Sequence, residues 1–464
     1  MHSRTESTAS VTASASQAAI GIGPWAGAAR IRAAIIANLS GEERGVYSVC
    51  CAHHLVIEAA VEQALADGGD VLVEATANQV NQFGGYTGMT PDDYRDFVQG
   101  IAQGKCLSLD RVILGGDHLG PVAWIGEAPA DAMAKAEDLV RAFARARFSK
   151  IHLDCSMPLA GDPPVLDDAV VAGRAARLCA AAEEAAIEAF GSSGIVYVIG
   201  TEVPPPGGAD ETLRELTVTP AANAVRTISI HEEAFRTAGL AEAWDRVIAL
   251  VVQPGVEFDH GAVIDYRPDK AVHLKELAER PGNTLAFEAH STDYQLPDAF
   301  KDLVRDHFAV LKVGPALTFA MREALFALSH IEDELVPAVE RSNLRDRAER
   351  QMCASPSNWQ RFYGGEPDSL HLLRRYSLSD RIRYYWPDPY LESAIETLIA
   401  NLSGRPIPLG LLAQYLPYEF AAVRRGDLSP APLALISHHI REAILPYSRA
   451  CGAAATSNEK GSNS

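Results

Sequence analysis

From residue 45 onward, short apolar runs rich in β-branched side chains alternate with longer stretches whose apolar positions recur at helical spacing. The runs cover residues 45–51, 71–74, 111–115, 150–154, 194–200, 247–256, 284–288 and 309–313. Amphipathic segments at 55–66, 91–105, 130–148, 165–190, 271–280 and 295–308 separate them. Strand followed by helix, repeated, implies parallel strands joined by crossover helices. Eight strands in roughly 270 residues match the size of a closed (β/α)8, or TIM, barrel. The rival, an open doubly wound sheet, is expected to carry a Gly-rich phosphate turn after its first strand, where this chain has His53-His54. Gly21-x-Gly23 with Gly27 precedes every strand, and neither G-x-x-x-x-G-K-[ST] nor H-E-x-x-H occurs. A closing helix is expected over 318–336. Beyond it the texture changes to helical segments with Pro-containing loops, more Arg and more aromatics. The chain therefore divides into a disordered tail (1–20), an α/β barrel (21–336), a helical extension packed on or over the barrel (337–450) and a second disordered tail (451–464).

Composition narrows the function classes. The 464 residues are 47% hydrophobic, enough for a large core plus an appendage. Against 41 Lys+Arg stand 60 Asp+Glu, a formal charge of −19, which argues against a nucleic-acid groove or a polybasic membrane anchor. An anionic substrate then needs a local cationic pocket. No apolar stretch approaches the ~18–20 residues of a bilayer span, and the Ser/Thr/Ala-rich N-terminus lacks the apolar core of a secretion signal. The seven cysteines form no C-x-x-C pair, and Cys50-Cys51 lie in a short apolar run. They are expected to be reduced, buried thiols of a cytoplasmic enzyme.

Almost every expected strand ends in polar chemistry. The first ends at His53-His54, the second at Glu74 with Asn78 and Gln79 following, the third at Asp117-His118, and the fourth at Asp154. The fifth ends at Glu202, the sixth at Glu257, Asp259 and His260, the seventh at Glu288 and His290, and the eighth at Lys312. In a barrel these groups converge on the C-terminal mouth, where such folds do chemistry. His118, His260 and His290, from three different strands, suit a divalent ion such as zinc, which often takes three protein ligands and an open position. Asp117 beside His118 serves either proton transfer or orientation of the imidazole. Glu202 is a fourth ligand, a base or a structural ion pair. Asp154 and Glu74 share that ambiguity, and His54 is a substrate contact or a packing residue. Lys312 either holds an anion or forms a Schiff base, the latter leaving the histidines without work.

Several segments carry a resemblance: Cys50-Cys-Ala-His-His54, the long Glu74-Ala-Thr-Ala-Asn-Gln-Val-Asn-Gln-Phe-Gly-Gly-Tyr-Thr-Gly88, Gly115-Gly-Asp-His-Leu-Gly-Pro121, and Tyr376-Ser-Leu-Ser-Asp-Arg-Ile-Arg-Tyr-Tyr-Trp386. Together they resemble the GatZ/KbaZ family over nearly the whole chain except the tails. Members carry labels as tagatose-6-phosphate kinases or as non-catalytic subunits of class II tagatose-bisphosphate aldolase, and some resemble metal-dependent 4-epimerases of ketohexose phosphates. The family is distantly similar to class II aldolases, whose Asp-His pair and two further metal histidines are matched in order by Asp117-His118, His260 and His290. The Gly-rich phosphate loops of those aldolases are not recognisable here.

The resemblance and the strand-end residues together imply a D-tagatose 6-phosphate 4-epimerase working by retro-aldol cleavage of C3–C4. His118, His260 and His290 are the expected ligands of a divalent metal, zinc by preference. Asp117 and Glu202 are the acid/base pair, Asn78, Gln79 and Asp154 hold sugar hydroxyls, and Ser379, Arg381 or Arg383 hold the phosphate. A kinase needs a phosphate cradle that the sequence does not show. The alternatives are a stabilising subunit of a separate class II aldolase, or a 4-epimerase of an unphosphorylated ketose or ketouronate. The expected partners are thus a ketohexose phosphate, an aldolase chain under the subunit reading, and further copies of this chain in a homo-oligomer.

Overall fold

A run such as Val-Ile-Ala-Leu-Val, apolar at consecutive positions, can be buried on both faces only in a parallel sheet covered by helices. The computed structural model, which describes residues 23–201 and 216–452, arranges these runs in that way. Strands β1 (Val46–Val49), β2 (Val71–Thr76), β3 (Val112–Leu119), β4 (Lys150–Leu153), β5 (Val196–Gly200) and β6 (Val247–Val251) are neighbours in sequence order. A two-residue antiparallel ribbon, β7 (Glu257–Phe258) and β8 (Val263–Ile264), interrupts the series. Strands β9 (Ala286–Ala289) and β10 (Phe308–Val313) then complete a closed parallel barrel in which β10 pairs with β1. The expected fold class is the observed one, and each of the eight expected runs overlaps a barrel strand. Among the described residues no helix is long and apolar enough to cross a membrane.

The strand–helix alternation does not predict the first helix, Ala26–Leu39, because it precedes the first strand. Its buried Ala28, Ile31 and Ile35 pack against Leu72, Ile113, Val196, Ala309 and Val310, near the N-terminal ends of four strands. It plugs the bottom of the barrel.

Above this apolar layer the barrel interior is charged. Lys150 Nζ lies 2.7 Å from Glu74 Oε1 and 2.8 Å from Glu288 Oε2. These residues stand on β4, β2 and β9, which are not sheet neighbours, so the contacts cross the barrel. Lys312 on β10 pairs with Glu74, and its Nζ is 2.9 Å from Asp117 Oδ1. The side chains of Glu74, Lys150 and Glu288 are wholly excluded from solvent. Room for them comes from Gly115, opposite Glu74 in the β2–β3 register, where an added Cβ would overlap the Glu74 carboxylate.

The C-terminal helices wrap one side of the barrel. The last, Pro432–Ala450, packs on the helix that follows β10, Pro315–Leu335, and on the helix that follows β1, His54–Asp67. Buried Glu419 clasps it: Oε1 lies 2.9 Å from His438 Nδ1 and 3.2 Å from His439 Nδ1, while His439 Nε2 is 3.5 Å from Glu323. Burial disfavours the Glu419 carboxylate, yet hydrogen bonds from His438 and His439 hold its pKa at about 2, below the usual 4.5. Burial likewise disfavours the His439 imidazolium, but Glu323 and Glu419 raise it from 6.5 to about 9.

The depressed Glu419 contributes stability that is full above pH 4.5 and lost as pH falls through about 2. The raised His439 contributes stability that is full below pH 6.5 and lost as pH rises through about 9. Both contributions are complete only between 4.5 and 6.5. Glu419→Gln is expected to cost about 1–3 kcal/mol in that window. It should also flatten both limbs of the stability profile, as measured by urea unfolding across pH.

Candidate active site

Consecutive residues on a regular strand point to opposite faces, so an Asp-His pair cannot ordinarily serve one site. Strand β3 breaks that rule. Its register with β4 shifts between Gly116 and Leu119, and His118 takes a left-handed φ of 46°. The irregularity re-aims the backbone as a bulge does, and Asp117 and His118 both line the cavity at the barrel mouth. Left-handed backbone at a histidine is strained and recurs at functional positions. Gly120 follows, where an added Cβ would run into the Asp154 carbonyl. The close approach brings Asp154 beneath His118.

One ligand atom from each of Asp117, His118, His152 and His290 can be chosen so that all lie within 4.8 Å of one another. Their hydrogen bonds decide which nitrogens are free. His118 Nδ1 lies 2.8 Å from Asp154 Oδ2. A carboxylate only accepts, so Nδ1 carries a proton, and in the neutral ring the lone pair is on Nε2, 3.9 Å from Asp117 Oδ2. His290 Nε2 lies 3.0 Å from Glu288 Oε1, which by the same reasoning leaves Nδ1 free. Carboxylates that fix the tautomer of a metal-binding imidazole act in this way. His152 differs: its Nε2 donates to the Gly200 carbonyl at 2.9 Å, and its Nδ1 lies 3.2 Å from both the His118 backbone nitrogen and Asp117 Oδ1. It braces β3 against β5 more than it offers a lone pair.

The electrostatics favour a cation here. Glu74, Glu288, Asp117 and Asp154 are four buried carboxylates facing two ammonium groups, Lys150 and Lys312. Burial works against the His118 imidazolium, but Asp117 and Asp154 raise it to about 9. Burial also works against the Asp117 and Asp154 carboxylates, yet the neighbouring imidazoles hold both well below the usual range. A divalent ion on neutral His118 would offset the same surplus of negative charge. The donor set, two oriented imidazoles beside an ionised carboxylate, fits such an ion.

The mouth cavity has a volume of about 330 Å³. Asn78, Gln79, Asp154 and Lys312 line it, and Arg383 enters from the C-terminal extension. Arg383 is held by the Ser379 and Asp380 carbonyls and donates to the Tyr384 hydroxyl at 2.9 Å. Burial raises the Tyr384 hydroxyl, but Arg383 and Arg381 together pull it below its ordinary value.

The structure brings together Asp117, His118 and His290 but not His260, which the sequence placed with them. Its Nδ1 lies 3.2 Å from Ser377 Oγ and 3.3 Å from Ser379 Oγ, and its Nε2 lies 3.0 Å from the Phe362 carbonyl. Both ring nitrogens are spent joining the β6–β9 connection to the extension. Ser379, expected on phosphate, belongs to that clamp. Arg381, expected beside it, stacks on Phe362 with 3.4 Å between guanidinium and ring and donates to the Asn358 carbonyl. Asp154, expected on a sugar hydroxyl, orients His118 and bonds Ser156 through its other oxygen at 2.6 Å. Glu202 lies outside the described residues. His152 and Lys150 were missed in the sequence. Their signal was the alternation Lys150-Ile-His152-Leu-Asp154, polar at every second position of an otherwise apolar strand.

The family model described as D-tagatose-1,6-bisphosphate aldolase subunit GatZ/KbaZ-like matches residues 31–452. A crystal structure described as a probable tagatose 6 phosphate kinase from Sinorhizobium meliloti 1021 is 45% identical. It aligns over 88% of this chain and 100% of its own, with a TM-score of 0.81. More distant are the YdjI aldolase from Escherichia coli K12 (12% identity, TM-score 0.41, 80% and 96% of the two chains) and a fructose-bisphosphate aldolase from Campylobacter jejuni (14%, 0.45, 81% and 92%).

Replacing either carboxylate behind an imidazole, Glu288→Gln or Asp154→Asn, is expected to weaken divalent-ion binding roughly 10- to 100-fold. His118→Ala and His290→Ala should abolish stoichiometric binding, and His260→Ala should leave the stoichiometry intact. Titration against a chelating dye measures all five. Undiminished binding by His118→Ala would remove it from the ligand set.

Proposed function

The chain belongs to the GatZ/KbaZ-like family, and on that premise we propose that it is a metal-dependent 4-epimerase interconverting D-tagatose 6-phosphate and D-fructose 6-phosphate. The observation that carries this reading is the pair of imidazoles, His118 and His290, each tied by one nitrogen to a carboxylate with the other nitrogen free, beside ionised Asp117.

The C4 hydrogen of a 2-ketose is β to the carbonyl and not acidic, so deprotonation cannot invert C4. Reversible cleavage of C3–C4 can. His118 and His290 would hold a divalent ion, with zinc the expected identity, which would supply the positive charge that makes this cleavage accessible. Asp117 takes the proton of the C4 hydroxyl, for which its ionised state is required. The C3–C4 electron pair passes to C3 as an enediolate conjugated with C2, and C4 becomes an aldehyde. Lys312, 2.9 Å from Asp117 Oδ1, adds positive charge beside the reacting oxygens. Arg383 holds the phosphate of the aldehyde fragment while its carbonyl turns over. C3 then attacks the other face, and Asp117 returns the proton to the new C4 hydroxyl. Asn78 and Gln79 line the path of the sugar.

The family description favours a second reading, a subunit supporting a separate class II aldolase chain. The kinase description of the Sinorhizobium relative finds no support in this sequence, which has no G-x-x-x-x-G-K-[ST] phosphate loop.

Incubated alone with a divalent ion and tagatose 6-phosphate, the chain is expected to produce fructose 6-phosphate. In heavy water the product should carry no deuterium at C4, because the C4–H bond is never broken; label at that carbon would overturn the retro-aldol route. Arg383→Gln is expected to lower kcat/KM roughly 10- to 100-fold. No turnover, together with a stable complex with an aldolase chain, would favour the subunit reading.

A further inference from the structure

Barrels of this type commonly hold a substrate phosphate on backbone N–H groups at the loops after the seventh and eighth strands and a nearby helix N-terminus. Here that position is already filled. Asp293, in the loop after β9, places Oδ1 3.0 Å from the Gly314 nitrogen and 2.8 Å from the Ala316 nitrogen, at the start of the helix Pro315–Leu335. The other first-turn groups are no freer. Pro315 has no N–H, and the Leu317 and Thr318 N–H groups turn back to the Gly314 carbonyl at 3.0 and 3.5 Å. Asp293 itself is buried and lines the cavity. A phosphate arriving at that helix start would meet a carboxylate, and the Gly314 and Ala316 N–H groups it would need are already bonded to Asp293.

The opposite balance holds at Arg383. Among the described residues it is the one lysine or arginine lining the cavity with no carboxylate within ion-pair distance, since Lys312 is held by Glu74, Asp117 and Glu288. Asp380, its neighbour in sequence, is taken by Arg322 at 3.0 Å and Thr318 at 2.6 Å. The mouth therefore offers an anion one cationic anchor, Arg383, and at the start of the helix after β10 a carboxylate, Asp293, on which Arg383 also acts.

We propose that Asp293 is a specificity-determining residue that restricts the site to sugars with a single anionic terminus and rejects sugar bisphosphates. This rests on the ketohexose-phosphate reading of the same site and adds to it the class of substrate refused. It also separates the chain's own ligand from the bisphosphate named in its family description.

The test is calorimetric binding of fructose 6-phosphate and fructose 1,6-bisphosphate to the zinc-loaded full chain near neutral pH. Burial lifts the Asp293 carboxyl to about 6, so it is ionised there. The monophosphate is expected to bind more tightly than the bisphosphate by roughly tenfold or more. Asp293→Asn and Asp293→Ser, which both keep a capping oxygen for the helix, are expected to narrow or reverse that ratio. Equal binding of both sugars by the unaltered chain, or an unchanged ratio in both variants, overturns the role of Asp293 and leaves the epimerase reading standing. Binding of neither sugar by the folded, zinc-loaded chain overturns the ketohexose-phosphate reading and this inference together.

Discussion

The whole mouth rests on charge buried in the barrel. Lys150, excluded from solvent, is held between Glu74 and Glu288, and Lys312 bridges Glu74 to Asp117. Charges removed from water are tolerable only when paired, and deleting one member of such a set leaves its partners stranded at a cost of roughly 3–5 kcal/mol. An apolar barrel core would be cheaper to build. The ionic layer instead gives Glu288 a fixed position, and Glu288 in turn decides which nitrogen of His290 carries a proton. The chain of constraint runs from a buried lysine to a carboxylate, from the carboxylate to an imidazole tautomer, and from the tautomer to a lone pair left free at the mouth.

The same logic recurs on the other side of the mouth through a backbone irregularity. The β3 register shift and the left-handed His118 turn two adjacent side chains into one cavity. Asp154 then orients His118 as Glu288 orients His290. Because Asp154 spends both oxygens, on His118 and on Ser156, it is a positioning residue. Strain at His118 is held in place by its backbone N–H on His152, whose far nitrogen is anchored on β5.

The C-terminal helices contribute to the site as well as covering the barrel. Arg383 supplies a cation with no carboxylate within ion-pair distance, whereas Lys150 and Lys312 are paired with carboxylates. The clamp of His260 on Ser377 and Ser379 ties the segment bearing Arg383 to the connection after β6. In this way a histidine outside the Asp117–His118–His290 cluster still bears on the position of Arg383.

Periodicity and residue type alone determined the barrel. Eight doubly apolar runs separated by helical spacing leave few other ways to bury every strand, and the polar residues at the strand ends announced where chemistry would gather. The adjacency of Asp117 and His118 and the presence of His290 at a strand end were legible in the same way. What the chain order could not convey was direction. His260 and His290 look alike in sequence, each a histidine just past a β-segment, yet one points into the mouth and the other into the extension. Arg381 and Arg383, two residues apart, diverge between an aromatic stack and the cavity. Asp293 reads as an ordinary loop residue until the helix after β10 is placed against it. Which nitrogen of His118 is free, which guanidinium lacks a carboxylate and which backbone donors are spent depend on partners tens of positions away, and closure of the barrel is what brings those partners within hydrogen-bonding distance.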